Sequence, residues 1–68
     1  MKKIELTPQE IKLVKLIGKQ MTAREIADVM GLSFRTVEGY RTAIQRKIGA
    51  KNTVGIAIYG LKQGIIRI

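Results

Sequence analysis

Apolar residues recur along this chain at spacings of three and four, and small or capping residues interrupt them at four places. In the first block Ile11, Leu13, Val14, Leu16 and Ile17 form a broad stripe of the kind one helix face presents. Thr7-Pro8-Gln9-Glu10 opens it. Thr7 is a cap, Pro8 suits the first helical position, and Glu10 completes a capping box, while Gly18 and Gln20 mark the stop. This predicts a helix over 8–18. Thr22-Ala23-Arg24-Glu25 repeats the box ahead of Ile26, Ala27, Val29 and Met30, and Gly31 offers a left-handed stop, so a second helix is expected over 23–30. Ser33 caps a third over 34–48, which Gly49 ends. Asn52 caps a fourth over 53–63, with Gly64 closing it. Val54, Ile56 and Ile58 alternate as a strand would, but Ala57, Tyr59 and Leu61 are also apolar and capping signals flank the segment, so a helix is expected. The short apolar tail Ile65-Ile66-Arg67-Ile68 is expected to fold back on the core. The expected architecture is all-α, a compact four-helix domain spanning 1–68.

The middle two helices, joined by Gly31-Leu32-Ser33, have the spacing of a helix-turn-helix. At 100° per residue, Phe34, Val37, Tyr40, Ile44 and Ile48 share one side of the third helix. Arg35, Gly39, Thr42 and Arg46 share the other, with Glu38 and Ala43 at its edges. The outer face is basic at both ends and small in the middle. Such a face fits a duplex groove: the charges reach phosphates and the small side chains let the backbone approach base edges. Gly39 costs a helix interior roughly 1 kcal/mol against alanine. It either packs against a neighbouring helix or clears the outer face, and its angle favours the outer face.

Charge sharpens this reading. Thirteen Lys and Arg against five Asp and Glu leave +8 on 68 residues, which favours a polyanionic partner. Cysteine and histidine are both absent, which excludes zinc fingers, disulfide scaffolds and any chemistry needing a thiolate or an imidazole. No two carboxylates are placed for acid–base work, and Ser33 has no histidine to activate it, so neither an enzyme nor a cofactor is expected. At 46% apolar the chain is too hydrophobic for a disordered basic tail. Its longest apolar run, Ile56 to Tyr59, is far too short to span a membrane. A soluble domain of a reducing compartment, the cytoplasm, is expected.

The string Leu6-Thr7-x-x-Glu10, Thr22-x-x-Glu25-Ile26-Ala27, Ser33-x-x-Thr36-Val37-x-x-Tyr40-Arg41-x-x-Ile44-x-x-Lys47-Ile48-Gly49 resembles the LuxR-type helix-turn-helix, the effector domain of NarL/FixJ response regulators. The resemblance runs from about Ile4 to Ile66 without a gap and includes the Lys51-to-Gly55 and Gly64-to-Ile66 segments. It departs at Gln20, where the family usually has glycine, at Gln9, where it often has arginine, and at Tyr40, where histidine is commonest. The resemblance implies sequence-specific binding of double-stranded DNA by a bacterial transcription regulator, with the third helix in the major groove. Carried over by position, it implies base contacts from Glu38, Gly39 and Thr42. It implies phosphate contacts from Thr22, Arg24, Ser33, Arg35, Thr36, Arg46 and Lys47. Glu10 and Glu25 are expected to serve their capping boxes, and Tyr40 to pack.

The fourth helix carries a second apolar stripe at Val54, Ile58 and Leu61. The resemblance implies a homodimer on DNA through it; alternatively the first helix or the tail covers it. Family members usually carry a receiver or ligand-sensing domain on the N-terminal side. With five residues before Leu6, an excised domain and a stand-alone member are both open. A protein-interaction module docking an acidic partner, such as RNA polymerase or a sensor domain, is the alternative function. RNA binding is disfavoured, since Phe34, Tyr40 and Tyr59 form no stacking platform.

Overall fold

The computed structural model describes residues 4–67. Within them α1 spans Pro8–Gly18, α2 Ala23–Met30, α3 Phe34–Ile48 and α4 Thr53–Lys62. The N-terminal caps read from the sequence are the ones that form. Thr7 Oγ1 accepts from the Glu10 N–H at 3.2 Å while the Glu10 carboxylate accepts from the Thr7 N–H at 2.8 Å. The Thr22–Glu25 box repeats both bonds at the same distances. Ser33 and Asn52 side chains accept from the Thr36 and Gly55 N–H groups. Each bond satisfies a donor that the first helical turn otherwise leaves unpaired. The fourth helix ends one residue early, because Gln63 is already its cap. The segment 53–62 is helical and not a strand: Ile56 is buried while Val54 and Ile58 on either side are exposed, which three helical turns produce.

The first turn closes on Gln20, whose φ of 63° is left-handed. Glycine tolerates that region without penalty, and a residue with a Cβ pays roughly 1–2 kcal/mol. The departure from glycine at this position is therefore absorbed as local strain, with the Gln20 N–H still donating to the Ile17 carbonyl at 2.9 Å.

All four helices and the tail meet in one core: Leu13, Val14, Leu16 and Ile17 of α1, Ile26 and Ala27 of α2, Val37 and Ile44 of α3, Ile56 of α4, and Ile66. The tail does fold back, as far as Arg67; Ile68 lies outside the described residues. It seats in a notch cut by two glycines. A Cβ on Gly18 would stand 2.7 Å from Ile66, and one on Gly60 would stand 2.6 Å from Ile66 and 2.8 Å from Val14. The Ile65 and Ile66 N–H groups donate to the Gly60 carbonyl at 2.9 and 3.0 Å, pinning the turn.

Phe34 corrects its expected placement. It is 42% exposed, at the first position of α3 and beyond the reach of the core. Val29 of α2 is likewise 54% exposed. Among the described residues no helix is long and apolar enough to cross a membrane.

An ion pair joins the start of α1 to the end of α3. Glu10 is only 4% exposed, and Lys47 of α3 donates to its carboxylate at 2.7 Å. Burial alone would raise the Glu10 carboxyl. The Lys47 hydrogen bond, the Thr7 N–H and the Lys47 charge together outweigh burial and hold it below the ordinary value. The stabilisation is therefore in force above the ordinary carboxyl pKa, and it is lost as pH falls through the lowered one. Lys47→Ala leaves the Glu10 carboxylate buried with only its capping partner, an expected cost of about 1–3 kcal/mol near neutrality. Thermal melts of wild type and variant should converge only at pH values below the lowered pKa of the Glu10 carboxyl; a constant gap at all pH values would show that the pair contributes nothing through charge.

Candidate nucleic-acid interface

The helix-turn-helix is built by local chemistry. Gly31 leaves α2 at φ 67°, and Leu32 donates from its N–H to the Ala27 carbonyl at 2.9 Å, which turns the chain within three residues into the Ser33 cap. Val37 and Ile44 then anchor α3 in the core, with Tyr40 and Ile48 half-buried beside them. The opposite face is open: Arg35, Thr36, Gly39, Thr42 and Arg46 are all exposed. A Cβ on Gly39 would meet nothing within 4 Å, so this glycine does not pack on a neighbouring helix.

The polar groups around that face are partly engaged. Thr42 donates its hydroxyl to the Glu38 carbonyl at 3.0 Å and keeps acceptor lone pairs. The Ser33 and Thr36 hydroxyls share a hydrogen bond at 2.8 Å. Thr22 and Ser33 expose the N-terminal ends of α2 and α3, where helix dipoles and free N–H groups suit anions. Glu25 is held below the ordinary carboxyl range by the Thr22 N–H and hydroxyl, in keeping with a capping role. The Arg24 guanidinium lies over the Phe34 ring, 4.6 Å from its centroid. Phe34 thus serves as a platform that ties Arg24 of α2 to the start of α3.

Two of the candidate contact residues have partners within the domain. Lys47 is committed to Glu10, so its ammonium is a structural partner before it is a phosphate contact. Glu38 lies on the flank of α3 and is bound by Arg41, whose Nε donates to one carboxylate oxygen at 3.1 Å and whose Nη2 donates to the other. Both residues border a cleft of about 250 Å³ that also takes in Thr22 and Ala23 at the start of α2. The structure therefore brings Arg35, Gly39, Thr42 and Arg46 together on one open face, with Glu38 at its edge and Thr22 close by. The Arg24–Phe34 stack and the Lys47–Glu10 pair had no local signal in the sequence, since each joins distant segments.

The family model for luxR-type bacterial regulatory proteins matches residues 5–59. The transcriptional regulatory protein MctR of Rhizobium johnstonii is 34% identical over 61 residues, and the oxygen regulatory protein NreC of Staphylococcus aureus is 33% identical over 61. Each match covers 90% of this chain and 28% of the relative. A crystal structure of Vibrio cholera VqmA in complex with ligand and DNA superposes with a TM-score of 0.84 at 31% identity, over 96% of this chain and 28% of that one. The chain belongs to the luxR family of bacterial regulatory proteins, as a DNA-binding helix-turn-helix domain. It spans little more than a quarter of the length of these relatives.

Proposed function

We propose that α3 lies in the major groove of an operator, with Gly39 and Thr42 toward base edges and Glu38 reading from the flank. Arg35 and Arg46 take phosphates at either end of the helix. Arg24, Thr22, Ser33 and Thr36 take phosphates at the two helix N-termini, and Lys47 adds to them while paired with Glu10. The observation that carries this reading is the open outer face of α3, where an exposed glycine stands between exposed arginines. The VqmA complex, a similar fold bound to DNA, supports it. The domain acts as the effector of a cytoplasmic transcription regulator, governed in a longer protein by a receiver or sensor domain. Two copies pair on DNA through Val54, Ile58 and Leu61 of α4.

The salt dependence of duplex binding tests the electrostatic half. Phosphate contacts release counterions and carry no sequence information, so Arg46→Ala is expected to weaken binding to every duplex alike. It should lower the slope of log affinity against log salt by about 1. An unchanged slope removes Arg46 from the interface. Binding with no preference among duplexes, alongside tight binding to an acidic protein surface, would favour the interaction-module reading instead.

A further inference from the structure

Arg41 points away from the open face of α3, yet it makes more side-chain hydrogen bonds than any other described residue. Two of its donors grip the Glu38 carboxylate side-on, one nitrogen to each oxygen. The third nitrogen, Nη1, donates to Gln45 at 3.3 Å and, across the helix boundary, to the Thr53 hydroxyl at 3.1 Å. Thr53 is the first residue of α4, and its backbone is fixed by the Asn52 cap that precedes it. The guanidinium is thus held from behind by α4 and holds Glu38 in front.

A fork-to-fork pair fixes a carboxylate in direction as well as place. Without it, a glutamate beside a duplex would turn away from the phosphates, and its rotamers would spread over several directions. With it, the guanidinium charge offsets that of the carboxylate and each oxygen keeps lone pairs for a donor such as the N4 amino group of cytosine. We infer that Arg41 and Thr53 are specificity-positioning residues: together they set the base preference exerted through Glu38, although neither faces the groove. This rests on the reading of α3 as the groove helix. It places one determinant of operator choice on α4, outside the helix-turn-helix.

The test is selection from a pool of randomised DNA duplexes, carried out in parallel with wild type, Glu38→Ala, Arg41→Lys and Thr53→Val. Single-base variants of the selected duplex are then titrated against each protein. Thr53→Val keeps the shape of the side chain and alters no charge. Glu38→Ala is expected to relax preference at one base pair by roughly 5- to 150-fold. Arg41→Lys, which cannot form the fork, should relax the same base pair, and Thr53→Val should relax it by about 2- to 10-fold, the worth of one ordinary hydrogen bond. All other positions, and the salt slope of Thr53→Val, should match wild type. A purely structural staple would instead lower melting temperature and weaken every duplex equally.

Three results overturn the inference. One is an unchanged motif for Thr53→Val while Glu38→Ala relaxes a position. Another is relaxation by Thr53→Val and Arg41→Lys at a different position from Glu38→Ala. The third is Glu38→Ala binding all duplexes more tightly with no lost preference, which shows that Glu38 reads nothing. Failure of the wild type to enrich any sequence would instead sink the groove reading itself, and this inference with it.

Discussion

Alanine at Gly39 is expected to stabilise the domain, and alanine at Gly60 to destabilise it relative to that variant by about 1–3 kcal/mol. Both glycines lie inside helices, so each substitution gains the same helix propensity, about 1 kcal/mol, and the difference between them isolates packing. At Gly39 the added methyl meets open space. At Gly60 it would stand 2.6 Å from the Ile66 side chain and 2.8 Å from Val14. Ile66 could give ground at its far end, but Val14 is short, stiff and fully buried, so the notch has one wall that cannot retreat. For a domain of this size the two melting temperatures should differ by roughly 4–20 °C. Equal melting temperatures would mean that the tail is not seated as described. Function should move the other way. Gly39→Leu keeps the gain in helix propensity but holds α3 away from the bases, so duplex affinity should fall at least about tenfold while stability does not.

The contrast between those two glycines also shows what the sequence can and cannot convey. Helix bounds were legible because each helix is bracketed by local chemistry: Thr7, Thr22, Ser33 and Asn52 all form the cap their side chains advertise. The direction of α3 was legible because period alone separates Val37 and Ile44 from Arg35, Gly39 and Arg46. Partners across the fold were not. Glu10 and Lys47 are 37 residues apart, and no spacing rule connects them. Nor does one connect Arg41 to Thr53, or Ile66 to Gly18. Periodicity assigns a residue to a face, and only tertiary packing decides what that face meets. Phe34 shows the limit in the other direction. Its angle is that of the core residues, but at the first position of the helix it lies past the end of the core and stacks with Arg24 instead.

The second large effect is expected at α4. Val54, Ile58 and Leu61 are 65%, 47% and 42% exposed, on the side of the helix away from buried Ile56 and Gly60. α1 and the described part of the tail leave all three at least 42% exposed, so the stripe is open to a second copy. Three side chains present far less than the roughly 800 Å² per partner of a stable interface. Pairing should therefore be weak in free solution and appear when two half-sites, about 10 bp apart, hold the copies side by side. In such a pair the stripe meets itself across a two-fold axis, so Ile58→Glu places two carboxylates together in an apolar seam. An unpaired charge there costs several kcal/mol, and symmetry makes each copy pay it. Cooperative occupancy of the double site should be lost. Binding to a single half-site should be nearly unchanged, because Ile58 lies outside the α3 face. The fold should survive, because the replaced side chain is already half in water. Footprinting on one and two half-sites, with a thermal melt alongside, separates the outcomes. An unfolded variant would make the stripe part of the core, and intact cooperativity would move the pairing surface elsewhere on the domain.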